Sequence, residues 1–129
     1  GAHWDPDAEA RVWKDAWQLD ARVLGLSGRR ALLLPYVWTC PRDGPDEANA
    51  VQVREATALA IERMAAAGWE HTDLTQPNDD QPKWEHVGLY YEDDELRAVL
   101  IDLGLVGEVL DNDDARAAAV SRMRTALAI

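Results

Sequence analysis

The chain has 129 residues, of which 47% are hydrophobic and 29% are charged. That length and balance are typical of one folded domain and exclude a wholly disordered chain. The formal net charge of −11 disfavours nucleic acids and anionic membranes as partners, because both carry charge of the same sign. Basic proteins or metal ions suit such a surface better, although solubility alone would also account for it.

The first three residues, the single cysteine and the lengths of the apolar runs each limit the interpretation of the chain. We expect residues 4–129 to form the single domain, because Gly1, Ala2 and His3 resemble a remnant of cloning. Cys40 is the only cysteine, so no disulfide can form within the chain. A reducing compartment is compatible with this, and the localisation stays open. No apolar run approaches the roughly 20 residues of a membrane span.

The first part of the chain predicts a helix followed by a hairpin. An Asp-Pro pair at 5–6 is typical of a helix start, and an apolar stripe at helical spacing carries the helix to about Leu19. Residues 21–26 and 31–38 are predicted to be strands joined by a turn. The second strand is almost entirely apolar, which is typical of a strand covered on both faces, and Pro35 is expected to end its pairing.

The rest of the chain predicts a long helix, an extended stretch, a second hairpin and a last helix. The expected bounds are 46–67 for the long helix, 69–74 for the extended stretch, 75–83 for a loop, 87–91 and 96–102 for the strands, and a start within 111–114 for the last helix. Leu59 and Ile61 widen the apolar face of the long helix, and Gly68 suits its end. This order of elements predicts the α+β class.

Two aspartates stand where apolar, strand-like segments end. They occur in the motifs His71-Thr72-Asp73-Leu74 and Ile101-Asp102-Leu103-Gly104. Taken alone, each motif also fits an Asp whose side chain stabilises a turn.

In their order and surroundings, these motifs resemble the core of a protein kinase. The resembling segments are 8–13 (the C-helix), 20–24 and 31–37 (the strands before the hinge), 68–74 (the catalytic loop), 84–90 (the stretch after that loop) and 96–104 (the magnesium motif). The resemblance is closest to the divergent kinase-like domains of fungal and oomycete proteins, including those attached to Crinkler-type effectors. It implies a truncated protein-kinase-like core: C-helix, hinge hairpin, long helix, catalytic-loop hairpin and C-terminal helix.

The resemblance also implies a role for each polar residue of the motifs. Asp73 would accept the proton of a substrate hydroxyl, Asp102 would chelate Mg²⁺, and His71 would hold backbone groups. The metal-binding Asn of the kinase loop has two candidates. Asn78 has the kinase spacing from Asp73, whereas His86 follows a Trp as in the divergent families and suits a hard cation poorly.

Parts of a working kinase are missing from the sequence. No G-x-G-x-x-G loop occurs, and the only lysines are Lys14, in the first helix, and Lys83, in the predicted loop. Glu9, which the resemblance places as the ion-pairing Glu of the C-helix, therefore lacks its strand Lys and is expected to be a first-turn acid stabilised by the helix dipole. The ATP phosphates would lose their positioning groups, so we expect no cofactor.

The sequence thus predicts a non-catalytic, pseudokinase-like binding or effector module. The alternative is a Mg²⁺- or Mn²⁺-dependent phosphotransferase or nucleotide hydrolase that uses ATP, with Asp73 and Asp102 as its main groups and Asn78 as third ligand. A fragment of a larger kinase-like protein is a further alternative. A metal-hydrolase cluster would require His71 and His86 to converge with the two aspartates, which their spacing does not require.

The expected partner is another protein or a second copy of the chain. A reduced domain leaves sheet edges and apolar helix faces without cover. We expect Trp13, Trp17 and Trp38, together with the strand 31–38, to be exposed unless something packs there. The first helix and this strand are therefore the predicted interface.

Overall fold

A computed structural model describes residues 5–75 and 82–129, so residues 1–4 and most of the predicted loop 75–83 lie outside the description. The described residues form three α-helices and seven strands. In chain order these are α1 (Pro6–Asp15), β1 (Arg22–Leu26), β2 (Arg29–Leu33), β3 (Trp38–Thr39), α2 (Ala50–Ala66), β4 (Trp69–His71), β5 (Val87–Glu92), β6 (Glu95–Leu100), β7 (Val106–Glu108) and α3 (Asp113–Ala126). Short 3-10 turns precede α2 and β5. The predicted α+β class is confirmed.

The described strands pair in three small antiparallel sheets, β1–β2, β3–β5–β6 and β4–β7. The tight β5–β6 hairpin turns at Asp93 and Asp94, whose φ angles of 51° and 64° are the positive values that a two-residue hairpin turn requires. The ladder runs from Glu92 opposite Glu95 to Val87 opposite Leu100. The predicted second hairpin, with its acidic turn exposed, is confirmed.

Helix α2 forms the middle of the core, because it packs against both β6 and α3. Its buried face carries Val53, Ile61 and Met64. Leu59, which the sequence analysis assigned to this face, is instead 46% exposed, because it lies on the outward side of the helix. Gly68 follows the helix with a φ of 92°, as its predicted role in ending the helix requires.

Helix α1 begins as predicted but ends sooner. The Asp5 side chain accepts hydrogen bonds from the backbone N–H groups of the first turn, at 3.0 and 3.1 Å. The helix stops at Asp15 rather than near Leu19, because Gln18 has a left-handed backbone with a φ of 56°. The N–H of Leu19 then donates to the carbonyl of Trp13 at 3.1 Å.

The expectation that Trp13 and Trp17 need a partner for cover is wrong. Both indoles are buried in the core of the chain itself, with exposed fractions of 1%. The apolar stripe of α1 faces the other elements of the same chain, so this helix offers no apolar docking face.

The apolar stretch 31–38 does not form one strand covered on both faces. Strand β2 ends at Leu33, before Pro35 as predicted, and Trp38 belongs to β3 in a different sheet. Leu33 is 57% exposed and Tyr36 is 86% exposed. The face of the β1–β2 sheet that carries Leu24 and Leu33 is exposed, so the apolar stretch is not covered on both faces as predicted.

Gly88 allows the chain to pack closely beside the candidate site. A Cβ atom at this position of β5 would lie 2.7 Å from Val37 Cγ2 and 3.0 Å from Ile101 Cγ2. A larger residue here would require Val37 and Ile101 to shift, and Ile101 directly precedes Asp102 in the chain. In the described ranges, no helix combines the length and the apolar character needed to cross a membrane.

Candidate functional site

His71 is completely buried and joins the two segments that carry the candidate aspartates. Its Nδ1 accepts a hydrogen bond from the Leu74 N–H at 3.1 Å, so the ring proton must reside on Nε2. Nε2 then donates to the Ile101 carbonyl at 2.6 Å. Burial lowers the pKa of His71 and thereby favours this neutral form. The predicted role of His71 in holding backbone groups fits this arrangement.

Backbone hydrogen bonds reinforce the junction on either side of His71. The N–H and hydroxyl groups of Thr72 both donate to the Leu105 carbonyl, at 3.1 and 2.8 Å. The Ile101 N–H donates to the His86 carbonyl at 2.7 Å, which extends the β5–β6 ladder by one residue pair. The end of β4, the end of β6 and the start of β5 therefore meet at one place.

The imidazole of His86 contacts both candidate aspartates. Its Nε2 lies 3.4 Å from Asp73 Oδ2, and its Nδ1 lies 3.6 Å from Asp102 Oδ2. The His86 side chain is 10% exposed, whereas that of Asp102 is 69% exposed. Among the described residues, Nδ1 of His86 has no partner within hydrogen-bond distance. The sequence placed these three residues in separate motifs, and the fold brings them together.

Lys83 adds a positive charge beside Asp73. Its ammonium group donates to the Asp73 carbonyl at 2.8 Å and lies 3.7 Å from Asp73 Oδ1. Lys83 was expected to lie in a loop, without a role at the site. No helical or strand period relates two residues ten positions apart across a predicted loop, so no local sequence signal identifies this contact.

Asp102 has a backbone conformation that is uncommon for a residue with a side chain. Its φ is 59°, in the left-handed region that Gly, Asn and Asp tolerate best. This turn follows the end of β6 and directs the chain towards β7. Asp93 and Asp94 also have positive φ angles, so this conformation does not by itself distinguish Asp102 from a turn residue.

The fit of this cluster to a metal ion can be tested on its geometry. Mg²⁺ binds oxygen ligands at about 2.0–2.1 Å, so a shared ion would need both carboxylates close to one point. The two carboxylates instead face different nitrogens of the His86 ring. Within residues 5–75 and 82–129, no group of three or more His, Cys, Asp or Glu side chains is arranged to hold a metal. Asn78, the predicted third ligand, lies outside the described residues.

The metal-hydrolase cluster is assembled only in part. His71 lies beside His86, with ring centroids 5.0 Å apart and an edge-to-face orientation. Both nitrogens of His71, however, are engaged with backbone groups and cannot serve as ligands without breaking those bonds. Glu9 lies in the first turn of α1, as predicted, and its side chain is buried.

A buried carboxylate supports the segment that carries Asp73, and the sequence analysis missed it. Glu70 accepts two hydrogen bonds from Arg122 Nε, at 3.0 and 3.3 Å, and one from its terminal nitrogen at 2.6 Å. It also accepts one from the Thr75 hydroxyl at 3.2 Å. The Arg122 contacts fasten β4 to α3. Glu70 and Arg122 lie too far apart in the sequence for any local pattern to reveal this pair.

The proximity of His86 to Asp102 could have been found from the hairpin register. A two-residue turn at Asp93 and Asp94 places Val87 opposite Leu100. Continuing that register by one pair puts His86 opposite Ile101, beside Asp102. The acidic turn therefore contained the signal that connects His86 with Asp102.

Comparison with known protein families gives one assignment. The sequence profile described as "Family of unknown function (DUF5898)" matches residues 2–90. The chain belongs to this family. The DUF5898 match includes Asp73, Lys83 and His86 and ends before Asp102. No curated protein matches the chain. No solved structure matches it either.

Proposed function

We propose that this chain is a non-catalytic, pseudokinase-like binding module with a reduced protein-kinase-like core. The observation that carries the proposal is the position of His86 between Asp73 and Asp102. The two groups that a kinase would use for proton transfer and metal binding already contact a side chain of the same chain. Lys83 occupies a further side of Asp73.

The chemistry of phosphoryl transfer supports the same conclusion. It depends on groups that position the phosphates and neutralise their developing charge. Asp73 and Asp102 are the groups that would do so here, and both already contact His86. A site in which histidine stands between the aspartates is better suited to holding the fold together than to chelating a nucleotide-bound metal.

The surface that we propose for binding is the outer side of the β1–β2 hairpin and the segment that follows it. Leu24 and Leu33 lie on this outer side, as the strand register places both on one face. Tyr36 and Trp38 continue the exposed apolar surface. A hairpin of two strands is marginally stable by itself, so a protein partner or a second copy that covers it would stabilise it.

Thermal melting in the presence of ATP tests the non-catalytic part of the proposal. We expect no metal-dependent shift in the melting temperature when ATP is added with Mg²⁺ or Mn²⁺. A ligand at about 100 times its dissociation constant would add about 2.7 kcal/mol, or roughly 10 °C. Such a shift in the wild type that disappears in Asp102→Ala would overturn the proposal.

The binding surface is tested by light scattering and by partner capture. We expect the wild type to dimerise, or to retain a specific protein, through a contact that the double variant Leu33→Ser/Tyr36→Ser loses. The matched control is Val51→Ser, which removes another exposed apolar side chain on α2. If the double variant and the control behave alike, the hairpin is not the interface.

The convergence of Asp73 and Asp102 favours a second candidate function, a Mg²⁺- or Mn²⁺-dependent phosphotransferase or nucleotide hydrolase. The two carboxylates share one neighbour rather than pointing to different sides of the fold. This activity would require the His86 ring to move aside, with Asn78 as the proposed third ligand. This second function would be supported by an ATP-dependent shift in the melting temperature of His86→Ala that the double variant His86→Ala/Asp102→Ala lacks.

A further inference from the structure

A groove runs along the outward face of α2, beside the β5–β6 hairpin and away from the aspartates. It has a volume of about 400 Å³. Its lining includes two acids, Glu55 and Asp94, two large apolar or aromatic side chains, Leu59 and Tyr91, and the basic Arg97. The groove is therefore bounded by one helix and one tight hairpin, two elements whose backbones are fixed by their own hydrogen bonds.

A second cavity of about 490 Å³ shares Glu55 and Leu59 with this groove. Arg54 and Arg124 line that second cavity as well and offset its acids, so the excess of negative charge belongs to the groove beside the hairpin alone.

Two large side chains that line the groove are apolar or aromatic and accessible. Leu59 is 46% exposed and Tyr91 is 63% exposed, although both are large apolar or aromatic side chains. The Tyr91 ring also packs against Trp38, with ring centroids 5.5 Å apart. Exposed apolar side chains beside a cavity are typical of a surface that another protein covers.

The rim of the groove carries an excess of negative charge. Glu95 forms an ion pair with Arg97 at 2.9 Å, which neutralises one acid. Glu55 and Asp94 form no ion pair with any residue in the described ranges. The chain as a whole has a net charge of −11, so its field adds to that of the rim. A negatively charged occupant would be repelled from this position.

We propose that this groove binds a segment of another protein that carries lysine or arginine side chains next to apolar ones. The basic side chains would lie against Glu55 and Asp94, and the apolar ones against Leu59 and Tyr91. Charge and shape complementarity would hold such a segment without any contribution from the kinase-like motifs. The groove shares no lining residue with the hairpin surface proposed above, although Tyr91 packs against Trp38 at its edge.

Fluorescence anisotropy with a defined probe tests the inference. The probe is a short labelled peptide of alternating lysine and leucine, and its counterpart contains glutamate in place of lysine. We expect the lysine peptide to bind the wild type more tightly than the glutamate peptide, with an affinity that falls as salt is added. The double variant Glu55→Gln/Asp94→Asn should bind it roughly tenfold more weakly, because two screened charge contacts are lost. Leu59→Ser should also weaken it.

The matched control removes two negative charges elsewhere. Asp15→Asn/Asp20→Asn alters two exposed acids outside the groove and changes the net charge by the same amount. Equal weakening by this control would mean that the net charge attracts the peptide, and it would overturn the inference, as would absence of binding to the wild type. The variant Leu33→Ser/Tyr36→Ser should bind the peptide like the wild type, so failure at the groove and failure at the hairpin surface are distinguishable.

Discussion

Replacement of His71 by alanine should destabilise the chain more than any other change at the candidate site. The ring is completely buried, and it satisfies the Leu74 N–H and the Ile101 carbonyl together. Alanine leaves both backbone groups without a partner, each at about 1–3 kcal/mol, and it also leaves a cavity. We expect the free energy of unfolding to fall by about 3–5 kcal/mol, a large share of the 5–15 kcal/mol typical of a domain.

Urea denaturation followed by tryptophan fluorescence measures this loss directly. His86→Ala is the informative comparison, because the His86 side chain contacts its aspartates only at 3.4 and 3.6 Å. We expect it to cost much less than His71→Ala, while His71→Gln should recover part of the loss by keeping a donor and an acceptor. A loss below about 1 kcal/mol in His71→Ala would refute the argument that these two hydrogen bonds hold the site together.

The stability should also depend on pH through His71. Burial lowers its pKa in the folded state below the ordinary value of 6.5 that applies to the unfolded chain. Below about pH 6.5, the unfolded chain therefore binds a proton that the folded chain does not. The stability that neutral His71 contributes is fully present above this pH. It is lost as the pH falls, by up to about 1.4 kcal/mol in the free energy of unfolding per pH unit. His71→Gln should lack this component, and an identical pH profile in both proteins would contradict it.

Three further changes test the surroundings of the site. Arg122→Ala should lower the free energy of unfolding by about 1–2 kcal/mol, because it strands the buried Glu70 carboxylate; the guanidinium is 54% exposed, so the loss is smaller than for a fully buried pair. Urea titration checks this, and an unchanged midpoint would contradict it. Asp102→Ala should be about 1 kcal/mol less stable than Asp102→Gly, because the φ of 59° suits glycine, and reversed melting temperatures would argue against strain. Cys40 should resist alkylation at pH 8 until the chain unfolds, since burial raises the pKa of its thiol to about 11; rapid native-state labelling, seen by mass spectrometry, would refute this.

Local sequence signals predicted the elements better than they predicted burial. The helix start at Asp5, the end of pairing before Pro35 and the end of α2 at Gly68 all follow from backbone preferences of single residues. The burial of Trp13 and the exposure of Leu33 do not follow from such preferences, because both depend on which distant elements pack together. An apolar stretch favours burial, but its own sequence does not determine whether another segment of the chain covers it.

The candidate site shows the same division. Asp73 and Asp102 were predicted from the ends of their strands, and the hairpin register accounts for the approach of His86 to Asp102. The approach of Asp73 depends on the hydrogen bond from His71 to Ile101, which the register does not predict. The contact of Lys83 with Asp73 and that of Arg122 with Glu70 join distant parts of the chain. No helical or strand period relates such residues, so only the folded arrangement reveals them.

The hydrogen bonds around His71 also limit how the site can move. Thr72 is bound to Leu105, Ile101 is bound to both His71 and His86, and each of these bonds crosses between different segments. Separating the two aspartates would require breaking them together, which is a partial unfolding event rather than a loop motion on the nanosecond scale. The amide protons of Thr72 and Ile101 should therefore exchange with solvent among the slowest in the molecule, and a ligand at this site would meet a surface already fixed in shape.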